Sequence, residues 1–127
     1  MKSVLPILLI GGMVGFATSA CLFSPGHSFP KPYSCKVDTG RLDFQNDGNL
    51  VVYDNSDNIK WASHTSGTGH LLQFQADGNL VITDFQKKVK WSSGSNGKGS
   101  SIAFQDDRNL VVYDKFGNRV WATETNQ

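Results

Sequence analysis

Apolar and polar positions alternate in the same order three times along the chain. Segments 42–53, 72–83 and 102–113 align without gaps, and Gln45, Gln75 and Gln105 stand 30 residues apart, as do Trp61, Trp91 and Trp121. Each segment runs through an apolar stretch ending in Phe-Gln, crosses Asp-Gly-Asn or Asp-Arg-Asn, and resumes as Leu-Val-Val or Leu-Val-Ile. The β-branched second arm and the turn formers before it predict a β-hairpin. A second turn follows, at 55–58 and 115–118, and a last strand carries the tryptophan. Gly/Ser-rich links at 66–69 and 93–101 separate the units. No stretch beyond residue 20 has helical periodicity, so the predicted class is all-β. A repeat this regular decides the fold before any single element does.

Strand alternation then sorts the side chains, since successive residues point to opposite faces. Leu50 and Val52 share one face. With Phe44, Trp61 and their equivalents they are expected to form the core, where each large apolar side chain stabilises by about 1.5–3 kcal/mol. The other face carries Gln45, Asp47, Asn49, Val51 and Tyr53 in the first unit, Gln75, Asp77, Asn79 and Val81 in the second, and Gln105, Asp107, Asn109, Val111 and Tyr113 in the third. Turn chemistry explains some Asp and Asn residues at such places. It does not explain the glutamines or the tyrosines two residues past the valine. Together they offer a carboxylate acceptor, two amides, a phenolic hydroxyl and one apolar contact. That mixture suits a sugar, whose hydroxyls both donate and accept.

At these positions the chain resembles the bulb-type, or monocot mannose-binding, lectin family, whose signature Gln-x-Asp-x-Asn-x-Val-x-Tyr is complete in the first and third units. The resemblance covers essentially residues 21–127, with 22–28 similar to the family's opening strand region. It implies a β-prism II, three four-stranded antiparallel sheets with pseudo-three-fold symmetry and the tryptophans packed at the centre. It also implies mannose or mannosylated glycans as ligands, no cofactor, and a homodimer as one option, made by exchange of the C-terminal segment 120–127. Thr83 replaces the tyrosine in the second unit, so that site is expected to be weaker or silent. The chain departs from the family's plant pattern of a cysteine beside the repeat Asp, having Gly48, Gly78 and Arg108 there.

Residues 1–20 have the layout of an export signal: Lys2 as the sole charge, an apolar run over 4–17, then Thr18, Ser19 and Ala20. The run is shorter than the roughly 20 residues of a membrane-spanning helix. The remainder is expected to be a secreted domain over 21–127, with no membrane span. Removing Lys2 from 12 basic residues leaves 11 against 11 acidic ones. That balance, with basic residues scattered apart from Lys87, Lys88 and Lys90, disfavours nucleic acid as a partner; those three read as a solvated strand edge. Cys21 and Cys35 are expected to pair in an exported protein, the rival being a lipid on Cys21.

Enzyme chemistry finds little support. His27, His64 and His70 lack zinc-ligand spacing, no serine sits in a nucleophile elbow, and no metal site is expected. Asp47, Asp77 and Asp107 would fall in separate sites on a three-fold scaffold, whereas glycoside hydrolysis needs two carboxyls flanking one bond. A prism that binds protein or acts on microbes without binding sugar is the alternative. Changing Asn49 and Asn109 is expected to separate the two readings, harming only a lectin.

Overall fold

The computed structural model describes residues 21–126. The expected export signal over 1–20 lies outside them. Twelve strands are present among the described residues. The first three are short and lie in the opening segment: β1 (Cys21–Phe23), β2 (His27–Phe29) and β3 (Tyr33–Val37). The three repeats supply β4 (Gly40–Phe44), β5 (Leu50–Asp54) and β6 (Ile59–Ala62), then β7 (Leu71–Phe74), β8 (Leu80–Thr83) and β9 (Val89–Ser92), then β10 (Ser101–Phe104), β11 (Leu110–Tyr113) and β12 (Arg119–Ala122). No helix among them is long and apolar enough to cross a membrane.

Each repeat folds as a three-stranded antiparallel meander, and the opening segment adds a fourth strand to all three. β3 pairs with β4, β2 with β7, and β1 with β10, giving sheets β3-β4-β5-β6, β2-β7-β8-β9 and β1-β10-β11-β12. The predicted all-β prism of three four-stranded sheets is therefore what forms. The opening segment does more than the sequence indicated, because it threads past all three units in turn. The Cys21–Cys35 disulfide joins β1 to β3 and so ties the third sheet to the first. A sulfur in that bond cannot carry the thioether lipid considered as its rival. Within this segment Phe23, Phe29 and Tyr33 meet edge-to-face, with ring centroids 4.7–6.0 Å apart.

The hairpin turn works as its residues suggest. Gln45 N donates to Asn49 O at 2.9 Å and Gly48 N to Gln45 O at 2.9 Å, with Gly48 at φ 88°. The same bonds recur at Gln75 and Gln105, but Arg108 holds the left-handed position in the third unit at φ 73°. Alternation then buries Phe44, Leu50 and Val52, Phe74, Leu80 and Ile82, and Phe104, Leu110 and Val112, all at 1% exposure or less. Trp61, Trp91 and Trp121 meet edge-to-face, with centroids 5.3–5.8 Å apart and planes at 67–73°. They are partly rather than fully buried, because three indoles converging on one point leave outer edges uncovered. Lys87, Lys88 and Lys90 are exposed as expected, Lys90 lying 3.6 Å from Asp84.

Consecutive units are joined differently from the ends of the cycle. A Cβ on Gly48 would lie 2.0 Å from the carbonyl oxygen of Gly69, and one on Gly78 2.3 Å from that of Gly99, so both junctions need backbone against backbone. The third unit meets the first through side chains instead. Arg108 Nη1 donates to Thr39 O at 3.0 Å, and Thr39 Oγ1 donates to Asp106 O at 2.7 Å. A non-glycine residue at positive φ costs about 1–2 kcal/mol; here its side chain closes the prism.

Candidate functional site

The signature residues of each unit converge on the outer face of one sheet, around the β4–β5, β7–β8 or β10–β11 turn. Three places are thus formed, each on a different sheet, and the three aspartates are held apart accordingly. A β-bulge recurs in every unit just before the tyrosine position: Val52 pairs with Trp61 but Tyr53 with Ile59, leaving Lys60 as the extra residue. The same shift falls between Ile82 and Thr83 and between Val112 and Tyr113. Bulges re-aim the side chains beside them. Here the bulge accompanies a tyrosine whose hydroxyl meets the glutamine across the hairpin.

That meeting is a hydrogen bond. Gln45 Nε2 donates to the Tyr53 hydroxyl at 2.6 Å, and Gln105 Nε2 to the Tyr113 hydroxyl at 2.5 Å. Each pair keeps a glutamine Oε1 to accept and a phenolic proton to donate. Burial pushes the Tyr113 phenol above its ordinary value, so it stays protonated at neutral pH. In the second unit Thr83 is too short to reach, and the Gln75 amide has no partner among the described residues.

The aspartates and asparagines divide their polar atoms between scaffold and solvent. Asp47 Oδ1 accepts from Asn49 N at 3.0 Å, and Asp77 and Asp107 do the same for Asn79 and Asn109. Asp47 Oδ2 accepts a hydrogen bond from Ser66 Oγ at 2.7 Å. Asn96 and Asn126 occupy the equivalent positions, and among the described residues nothing donates to Oδ2 of Asp77 or Asp107. Asn49 Oδ1 accepts from Ser63 Oγ and Thr65 N, both at 3.1 Å. Asn79 Oδ1 accepts from Ser93 Oγ and Ser95 N, and Asn109 Oδ1 from Thr123 Oγ1, Glu124 N and Thr125 N. These bonds leave each Nδ2 as a donor with no acceptor among the described residues.

Replacing Asn49 and Asn109 is consequently an unsuitable discriminator, contrary to the expectation from sequence. It would strip the loop after the tryptophan strand of its acceptor whatever the ligand. Turn chemistry and ligand chemistry coexist in one side chain, which explains why neither alone accounted for the pattern. Val51, Val81 and Val111 are 1–2% exposed, so each is the floor of its site rather than a broad apolar face.

Sequence reasoning missed the hydroxyl pairs that hold the asparagines: Ser63 and Thr65, Ser93 and Ser95, Thr123 and Thr125. Their signal was present, since each pair falls two and four residues after a repeated tryptophan. It also missed Asp54, Asp84 and Asp114, whose Oδ1 atoms accept two backbone N–H groups each and cap the second turn of every unit.

No protein-family model and no curated protein matches the chain. Solved structures do. A monomeric monocot mannose-binding lectin from Gastrodia elata is 37% identical over 84% of this chain and 98% of its own, with a TM-score of 0.74. The Polygonatum cyrtonema lectin, solved with monomannoside, is 38% identical over 82% and 96%, with a TM-score of 0.63. The mannose-specific agglutinin of snowdrop (Galanthus nivalis) bulbs, complexed with methyl-α-D-mannoside, is 31% identical over 82% and 95%, again at 0.63. With this identity across almost the entire length of such proteins, and the same three-sheet architecture, the chain belongs to the monocot mannose-binding, bulb-type lectin family.

Proposed function

We propose that the protein is an exported, non-enzymatic lectin that binds mannose or mannosylated glycans at the first and third sites, the second being weak or silent. The observation that carries this reading is the pair of glutamine–tyrosine hydrogen bonds, each leaving a free acceptor and a free donor above a valine floor. The asparagine Nδ2 adds a donor in both sites, and at the third site Asp107 Oδ2 adds an acceptor. A hexose presenting adjacent hydroxyls satisfies such a set, and the relatives solved with mannosides support mannose as that hexose. The repeated aspartates Asp47, Asp77 and Asp107 stand beside three different sheets, so they do not pair with one another across a single bond as the carboxyls of a glycosidase do.

A single shallow site of this kind binds a monosaccharide near millimolar, about −4 kcal/mol. Strength on a cell surface or a branched glycan must come from several sites acting together on one rigid body.

The test is a glycan array probed with the protein from Cys21 onward, free mannose serving as competitor. A folded variant carrying Gln45→Ala, Tyr53→Phe, Gln105→Ala and Tyr113→Phe is the control, since these side chains contribute little to the scaffold. Mannose-inhibited binding that disappears in the variant is the expected result. A well-folded protein that binds no glycan overturns the reading and leaves the prism as a protein-interaction scaffold.

A further inference from the structure

The first and third sites carry the same five side chains, but only the first has its tyrosine held from outside that set. Register across the hairpin sets Arg41 opposite Tyr53, Leu71 opposite Thr83 and Ser101 opposite Tyr113, and paired residues share a face of the sheet. Two residues further along β4 the first unit has Asp43, and in its second turn Asp57. The matching residues are Gln73 and Lys87 in the second unit and Ala103 and Gly117 in the third. A basic residue placed between two acidic ones therefore occurs in one unit of the three.

Those three residues are assembled over the tyrosine. The guanidinium carbon of Arg41 lies 4.2 Å from the centroid of the Tyr53 ring. Arg41 Nε donates to Asp43 Oδ2 at 2.9 Å and Nη1 to Asp57 Oδ1 at 2.6 Å, while Asp43 Oδ1 accepts from Ser34 Oγ at 2.7 Å. Two carboxylates pulling on different nitrogens of one planar group fix both its place and its tilt. The group so fixed covers the phenol whose hydroxyl accepts from Gln45 Nε2 at 2.6 Å. In the third unit Arg119 pairs with Glu124, and among the described residues no cation lies over the Tyr113 ring. Ion pairs as exposed as that of Arg41 and Asp57, at 28% and 74%, add little to folding. Their effect is on where the ring sits.

We propose that Arg41 is a positioning residue for the first site: held by Asp43 and Asp57, it clamps the Tyr53 ring with its hydroxyl on Gln45, and so makes the first site tighter than the third. Arg41 acts through Tyr53 and not on the sugar. A tyrosine free to swing must be ordered when the ligand arrives, and that ordering subtracts from affinity. A ring already pinned under a guanidinium is ordered on folding instead. A cation over an aromatic face at an exposed place is strong enough to change an equilibrium about two- to fivefold. The first site then fills before the third as the mannoside concentration rises. This proposal rests on the sugar-binding reading above.

Nuclear magnetic resonance of the isotope-labelled protein from Cys21 onward reads the two sites separately. The backbone amides of Asn49 and Asn109, which donate to Asp47 and Asp107, report on the first and third sites during titration with methyl α-mannoside. The first site is expected to bind about threefold more tightly than the third. Arg41→Leu, which installs the residue that the second unit has at this place, should bring the first site to the affinity of the third, leave the third unchanged and shift Tm little. Arg41→Lys keeps the charge but not the planar fork, and should behave as Arg41→Leu does. In the reverse direction, Ser101→Arg with Gly117→Asp should tighten the third site by about the same factor; Asp57 at φ 64° already holds an aspartate in that left-handed position. This transplant keeps the test decisive should the Arg41 variants fold poorly. Equal affinities in the unaltered protein, a first site indifferent to Arg41→Leu, a weakening of both sites alike, or a transplant without gain each overturns the clamp and leaves the sugar-binding reading intact. Mannoside that binds neither site of the unaltered protein overturns both.

Discussion

The second and third units are built on the same backbone but differ in how their sites are finished. Both have the turn closed by Gln N and Asn O, the bulge after the apolar strand, the aspartate over its turn and the asparagine held by a hydroxyl pair. Yet Tyr113 engages Gln105, whereas Thr83 leaves the Gln75 amide without a partner among the described residues. The scaffold half of the signature, Asp Oδ1 and Asn Oδ1, is kept where the tyrosine is lost. A site can therefore lose its ligand-facing half without cost to the fold, because different atoms of the same residues serve the two purposes.

The largest effect is expected from breaking what the units share. Gly48→Val combines a positive φ with a Cβ 2.0 Å from a backbone oxygen, and should cost more than about 3 kcal/mol or prevent folding. Thermal unfolding followed by circular dichroism measures it; a Tm unchanged within a few degrees would show that the junction can open. Next is Asn109→Ala, which removes the acceptor of Thr123 Oγ1, Glu124 N and Thr125 N. Leaving buried donors unsatisfied costs on the order of 2 kcal/mol, so this variant should lose Tm as well as sugar binding. Binding lost at unchanged Tm would contradict the division of the side chain.

A smaller change sharpens the comparison directly. Thr83→Tyr should restore the pair with Gln75 and raise affinity at the second site by about fivefold, the value of one hydrogen bond near 1 kcal/mol. Calorimetry on a variant lacking Gln45 and Gln105 reads that site alone, and no gain would mean that more than the tyrosine separates the units. The smallest effect concerns features common to all three. Backbone N–H groups of Asn58, Lys88 and Asn118 hold the carboxyls of Asp54, Asp84 and Asp114 below their ordinary value. With the folded value below the unfolded one, their contribution is fully present above about pH 3.9 and is lost as the pH falls through the folded value. Tm measured from pH 7 to pH 2 should therefore drop at the acid end, and less steeply after Asp84→Asn.

The junctions show how much was legible. Glycine at 48 and 78 announced a tight turn, but nothing local showed that Gly69 and Gly99 pack against them, or that Arg108 and Thr39 replace such a pair where the cycle closes. The 30-residue period of the tryptophans gave them matched places in the three units; one shared centre was what the family resemblance implied, and their rings do meet. Likewise the glutamines and tyrosines stood out because no local rule required them. The aspartates and asparagines were harder to read, since an Asx turn and a ligand contact demand the same residue at the same place.

The sequence by itself determined the all-β class, the three-fold repeat, the core face of each strand and the composition of the candidate sites. All of these follow from local alternation, turn propensity and a fixed period. Only the tertiary structure decided where β1, β2 and β3 would go, how the third unit would close on the first, and which polar atoms of each Asp and Asn would serve the scaffold. Those outcomes depend on register and closure between residues up to 83 apart, such as Cys21 and Phe104. Such pairings are selected by packing the whole prism, not by any segment's own preference.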